Sequence, residues 1–239
     1  MYKPYYQDKW VTIYHGDCRE ILPSLGKLAV DLVLTDPPYG IEYHSGYYKY
    51  GNPFTEIKGD TSYPVSFIPV FRHLASKAVL LFARWEVLRY APEPKSVIVW
   101  VKNNWTAGDL NHAYGRQWEC ILFYTCGNHR FSYRPSDVIT CDRIIPTRHP
   151  TEKPTELIDK LILPNTNVND LIVDPFVGVG TTCYCAKKLQ RRSIGIDTEE
   201  RYCEMSAKRC SQGVFEFNEP LPQLPTVSSL VLPTIPTYP

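Results

Sequence analysis

Apolar residues fall in short continuous runs rather than in long alternations. Segments 29–34, 78–85, 96–102, 118–125, 171–173 and 192–196 each read as a buried strand, and 10–14 alternates as a seventh. Strands that are apolar on successive residues argue for a sheet covered on both faces. Helical spacing fills the gaps between them: 18–25, 65–76 (despite Pro69), 86–90, 155–163, a segment ending at 189, and 199–211. Strand and helix in alternation predict an open, mostly parallel α/β sheet of seven strands, with helices on both faces. Strands 96–102 and 118–125 are expected to pair as a hairpin.

The polar residues that matter sit where the strands stop. Four of these ends carry an aspartate: Asp17, Asp36, Asp174 and Asp197. In open α/β sheets, ligands lie outside the carboxyl ends of the strands. Asp17 also suits a helix N-cap, so it has two readings. At 35–40 the chain runs Thr-Asp-Pro-Pro-Tyr-Gly. Pro37 and Pro38 fix φ and remove two backbone donors, which leaves a stiff lip. It presents the Asp36 carboxylate, carbonyl acceptors and the Tyr39 ring, a set suited to a planar, amine-bearing ring. A plain proline turn is the other reading of these residues.

After the strand at 171–173 comes Asp174-Pro175-Phe176, then Gly178-x-Gly180-Thr181, a helix, a strand and Asp197. This is the grammar of a nucleoside-binding unit: a turn the ligand can approach, then an acid for ribose hydroxyls. The third glycine of the dinucleotide pattern is missing, as is the Gly-Lys-Ser/Thr of a phosphate loop. NAD and ATP therefore fit less well than S-adenosylmethionine, which carries adenosine, a ribose diol and a zwitterionic amino acid but no phosphate. Thr151, Glu152 and Lys153 precede Pro154, which suits the first turn of a helix. That N-terminus is a site for a carboxylate or phosphate.

Composition narrows the setting. The chain has 239 residues, 44% hydrophobic and 21% charged, enough for one core-forming domain. Its net charge of +1 means that any surface for nucleic acid is local. The eight cysteines lack zinc-type spacing, so no metal site is expected and reduced, buried thiols in a cytoplasmic protein are. No signal peptide or membrane-spanning run is read, and no membrane partner is expected. Residues 40–63, rich in glycine and tyrosine, and 126–148, which carries Arg130, Arg134, Arg143 and Arg148, read as loop inserts. Both are candidates for nucleic-acid contact. The domain is placed at 1–212, followed by a proline-rich tail at 213–239.

Three segments then carry a specific resemblance. Asp36-Pro37-Pro38-Tyr39, Thr151-Glu152-Lys153-Pro154 and Asp174-Pro175-Phe176-Val177-Gly178-Val179-Gly180-Thr181-Thr182 resemble the strongest motifs of the amino-methylating DNA methyltransferases. Their order is that of the circularly permuted β class. The resemblance implies the family's permuted methyltransferase sheet and S-adenosylmethionine as cofactor. It implies that Asp174, Phe176, Gly178, Gly180 and Thr181 bind that cofactor, with Asp197 on the ribose. Asp17 would meet the adenine amino group, and Thr151 and Lys153 the methionine end. Asp36, Pro37, Pro38 and Tyr39 would hold a base flipped out of double-stranded DNA for direct in-line transfer.

An aspartate at the head of the lip favours adenine N6, whereas serine is commoner for cytosine N4. Cytosine N4, a non-catalytic DNA- or cofactor-binding module, and an RNA or protein-glutamine methyltransferase are the alternatives. Glu152 departs from the family's usual glutamine and would set a negative charge near the cofactor carboxylate unless it points away. Val179 replaces a common serine. The short 126–148 insert leaves site choice to be shared with 40–63 or with a second subunit of a homodimer.

Overall fold

A computed structural model describes residues 2–26, 29–38, 64–104, 114–144 and 152–212. Tyr39, Thr151, the 40–63 insert and the 213–239 tail lie outside the described residues.

One sheet organises the chain. Its strands are β1 (Tyr6–Gln7), β2 (Val11–His15), β3 (Val30–Thr35), β4 (Ala75–Ala83), β5 (Ser96–Val101), β6 (Trp118–Thr125), β7 (Val138–Thr140), β8 (Leu171–Asp174) and β9 (Arg192–Asp197). They lie in the order β1-β2-β9-β8-β3-β4-β6-β5-β7. Strands β2, β9, β8, β3 and β4 are parallel neighbours, β6 is antiparallel to β4, and β5 is antiparallel to β6, as the hairpin expectation had it. The seven expected strands are present, and two short edge strands make the sheet nine-stranded among the described residues. At two and three residues, β1 and β7 are too short to show a period, and β7 falls inside the segment expected as a loop.

Helices cover both faces. Helices α1 (Cys18–Ser24) and α2 (Phe67–Leu74) bury Ile21, Ile68 and Phe71 against Val33, Val79, Leu81 and Val173. Helices α3 (Thr155–Ile162) and α4 (Thr181–Lys188) bury Leu157, Leu161 and Ala186 against Leu32, Leu34, Leu80 and Phe82. Successive strand residues thus feed opposite cores, the physical origin of the continuous apolar runs. Helix α5 (Glu200–Ser211) closes a third cluster, with Cys203 and Cys210 against Val11 and Ile13.

The helix expected at 65–76 is shorter. A 3-10 turn at Pro64–Ser66 leads into α2, and Ala75 already starts β4, paired with Val30. No linker separates helix from strand, so the apolar pattern runs through the boundary. Pro69 stands in the first turn of α2, where its missing N–H has no partner to lose. The helix expected at 86–90 is a 3-10 turn at Trp85–Arg89.

The parallel strands point one way, so the ends of β2, β9, β8, β3 and β4 share one edge. Because β6 runs against β4, its start, Glu119, comes to that edge too. So does Lys102, just past β5. All eight cysteines are free and buried. Among the described residues, no helix is long and apolar enough to cross a membrane.

Candidate active site

The glycine turn after β8 is built by backbone geometry and one buried acid. Gly178 and Gly180 adopt φ of +51° and +79°, a region that side chains resist. A Cβ on Gly180 would sit 2.9 Å from the Ser206 Cα in α5, so glycine is also what lets α5 close on the turn. A Cβ on Gly178 would meet nothing, so this residue borders open space. Ser206 Oγ donates to the Gly178 carbonyl at 2.9 Å, and Gly178 N–H donates to Asp197 Oδ2 at 3.0 Å. Phe176 is partly buried, edge-on to Phe67 at 5.5 Å.

Asp174 is 4% exposed and accepts from Thr35 Oγ1 at 2.7 Å and from Phe176 N–H at 3.1 Å. The Thr35 bond joins the end of β3 to the end of β8, tying the lip to the glycine turn. Burial pushes the Asp174 carboxyl up to about 6, against the Thr35 and Thr182 hydroxyls and the Phe176 N–H, which favour the ionised form.

An ordinary aspartate titrates near 3.8, so the folded chain holds this proton more tightly than the unfolded chain. The group's contribution to stability is therefore full below about pH 4 and lost as pH rises past about 6, on the order of 3 kcal/mol by pH 7. Without ligand, denaturant unfolding is expected to show that loss between pH 4 and 7. Asp174→Asn should flatten it.

Two further acids meet beside the turn. Asp197 ends β9, its Oδ1 accepting from Glu199 N–H at 2.9 Å. Burial raises its pKa despite the Glu199 and Gly178 N–H donors. The Gly16 N–H donates to the Asp197 carbonyl at 2.8 Å, which places Asp17 alongside. Asp17 is the N-cap of α1, accepting from Arg19 N–H at 2.8 Å, and its carboxylate pairs with the exposed Arg19 side chain. The hydrogen bonds from the Arg19 side chain, and then from its backbone N–H, hold the Asp17 pKa down. Both readings of Asp17 thus have a geometric basis, cap and acid at the shared edge.

At the lip, Pro37 is buried and Pro38 half-buried. Lys153, 8% exposed, places Nζ 2.5 Å from Asp36 Oδ2 and 3.4 Å from Glu119 Oε2, and it lies over the Phe82 ring at 4.9 Å. Glu119 is also paired with Lys102. Burial works against the Lys153 charge, but the Asp36 and Glu119 carboxylates outweigh it and its pKa is raised. Lys153, expected at the methionine end of a cofactor, therefore also contacts the lip acid.

Glu152 turns the other way. Its carboxylate pairs with Arg209 of α5 at 2.8 Å, side-chain exposures being 7% and 11%. The same guanidinium donates to Thr181 Oγ1, at the start of α4, at 3.0 Å. The negative charge at Glu152, where the resemblance leads one to expect glutamine, is neutralised within the protein.

Sequence reasoning missed Thr35, Lys102, Glu119 and Arg209. Glu119 had a signal, an acid at the second position of the otherwise apolar Trp118–Thr125. Within 126–148, β7 pairs with β5 and Arg143 is locked to Asn104 through three hydrogen bonds, so part of that insert is anchored.

The glycine turn fits S-adenosylmethionine. Gly178 borders space for a ligand, and the buried Asp174 offers an acid to a cation. No Lys-Ser/Thr pair follows to hold a phosphate.

Comparison with known proteins agrees in kind. A family model described as DNA methylase matches residues 135–208. The type II methyltransferase M2.LlaDCHI of Lactococcus lactis subsp. cremoris is 25% identical over 89% of this chain and 94% of its own length. M2.DpnII of Streptococcus pneumoniae is 29% identical over 87% and 92%. Among solved structures, the M1.HpyAVI–SAM complex superposes with a TM-score of 0.67 at 24% identity, covering 84% of this chain and 99% of that one. The cytosine-N4-specific PvuII DNA methyltransferase reaches the same TM-score at 16% identity, covering 87% and 89%.

Proposed function

We propose that this chain, which belongs to the amino-methylating DNA methyltransferases, methylates the exocyclic N6 of adenine in duplex DNA, and that it is of their circularly permuted β class. The observation that carries the reading is the Thr35–Asp174 bond: it sets the lip acid, one residue on, beside the cofactor turn. The chain order supports the permutation, because the lip at the end of β3 precedes the glycine turn after β8 while the two strands are sheet neighbours.

The methyl donor is S-adenosylmethionine, which supplies a sulfonium methyl as electrophile. Gly178 and Gly180 cradle it, with Asp174 and Phe176 at the turn and Thr181 at the head of α4. Asp197 takes ribose hydroxyls, and Asp17 the adenine amino group. Thr151 and Lys153 serve the methionine end. Opposite them, Asp36 and the Pro37 carbonyl accept the two hydrogens of the base amine. That draws its nitrogen, otherwise conjugated with the ring, towards tetrahedral geometry and frees its lone pair. Tyr39 stacks on the flipped ring and offsets the stacking lost from the duplex. Pro38 stiffens the corner between them. Holding the amine and donor in register supplies much of the rate, and the Asp36 charge stabilises the ammonium that develops. Asp36 then receives the proton that the methylated nitrogen gives up.

Adenine is preferred because an aspartate, not a serine, heads the lip. Cytosine N4 is the second reading, favoured by the fold shared with a cytosine-N4-specific enzyme. The domain spans 1–212, with 40–63 and 126–148 as DNA-recognition elements whose work a homodimer would share. Incubation with radiolabelled S-adenosylmethionine and duplex DNA, followed by digestion to nucleosides, tests the assignment. Label in N6-methyl-2′-deoxyadenosine is expected, and label in N4-methyl-2′-deoxycytidine would overturn it.

A further inference from the structure

A row of alternating charges runs from the lip into the antiparallel half of the sheet: Asp36, Lys153, Glu119, Lys102. Each comes from a different segment: the end of β3, the chain before α3, the start of β6 and the end of β5. Lys153 Nζ lies between Asp36 Oδ2, at 2.5 Å, and Glu119 Oε2, at 3.4 Å. Lys102 holds the other Glu119 oxygen and sits 4.9 Å from the Trp100 ring.

Strand pairing does not need this acid, since the backbone of residue 119 pairs with Trp100 whatever its side chain. A carboxylate with a buried oxygen in an apolar strand is costly unless its partners repay it. Burial opposes the Glu119 charge, yet the two lysines outweigh it and hold its pKa below the usual range. Without Glu119 the row keeps two lysines and one acid, Asp36.

We propose that Glu119 is a positioning residue for methyl transfer: held by Lys102, it anchors the Lys153 ammonium against Asp36, so that the lip acid stays aimed at the base amine. This rests on the role given to Asp36 above.

Among the described residues, Lys153 pairs with Asp36, just past β3, and Glu119 from β6, lies over the uncharged Phe82 of β4, and has Lys102, just past β5, on the far side of Glu119. Arg84 and Glu86, just beyond β4, pair with each other. The test uses the full chain and duplex DNA. It measures kcat and KM against pH for Glu119→Gln and Lys102→Met, and follows the ¹³Cε resonance of Lys153, assigned with Lys153→Arg.

Glu119→Gln should lower kcat about tenfold to a hundredfold. KM for S-adenosylmethionine should rise by less than kcat falls, since Lys153 also serves the methionine end. The alkaline limb of kcat and the Lys153 titration should both move to lower pH. Lys102→Met, which removes a positive neighbour, should move both to higher pH with a smaller loss of kcat, and it carries the test if Glu119→Gln does not fold. Glu119→Asp should regain part of the rate. A merely structural role would change stability without these opposite pH shifts. A Glu119→Gln enzyme with unchanged kcat, or with Lys153 titrating as in the parent, would overturn the proposal. A parent chain that methylates no DNA would sink the proposed function instead, and the Lys153 resonance, which needs no turnover, would still decide whether Glu119 holds that charge.

Discussion

Asp36→Ala is expected to cut kcat by about 10²–10³-fold, a loss of roughly 3–4 kcal/mol of transition-state stabilisation. The substitution removes an acceptor for the base amine and the negative charge that offsets the developing ammonium. Both act only as the nitrogen changes geometry, so the loss belongs in kcat more than in KM. S-adenosylmethionine affinity should fall less than kcat, because the glycine turn and Asp197 do not depend on the Asp36 side chain, although Lys153 at the methionine end pairs with it. Asp36→Asn separates the two contributions: it keeps an oxygen acceptor and loses the charge, and should fall between parent and alanine variant. Single-turnover methyl transfer, with calorimetry for cofactor binding, reads both quantities. Asp36→Ala protein that transferred methyl groups at the parent's rate would remove Asp36 from the mechanism.

Arg209→Leu is expected to lower stability by about 3–5 kcal/mol, because it leaves the Glu152 carboxylate buried without its partner. The pair joins α5 to the segment before α3, and the same guanidinium holds Thr181 at the start of α4. Cofactor affinity should therefore fall with stability. Glu152→Gln made together with Arg209→Leu should recover most of the stability, since no charge is then left without a partner. Urea unfolding of the two single variants and the double variant gives the coupling directly. Additive losses would mean that the two side chains do not act as a pair.

How far the sequence disclosed this structure depends on the range of each interaction. The strands were legible because both faces are buried: Trp118–Thr125 was read to the residue from its apolar run. The α2–β4 boundary was not, because apolar residues continue through a junction without a linker. β1 and β7 were too short to carry a pattern. The acids at strand ends were readable from position alone, since topology places Asp17, Asp174 and Asp197 on one edge whatever their partners. What joins them was not readable. Thr35 and Asp174 lie 139 residues apart in the chain, and Lys153 and Asp36 lie 117 apart. Such pairs are set by which strands become neighbours, and no local pattern encodes that. Glu152 shows the same limit: its departure from the glutamine of the family that the motifs resemble was visible at once, but its answer, Arg209, is a surface-type residue in the last turn of a distant helix.

The most direct test of the central claim is modification-sensitive sequencing of DNA from a host expressing this chain, with a host expressing the Asp36→Ala variant as control. N6-methyladenine at a recurrent sequence with the parent, and its absence with the variant, is the predicted result. N4-methylcytosine at the recurrent sequence, or N6-methyladenine that persists with Asp36→Ala, would contradict the account.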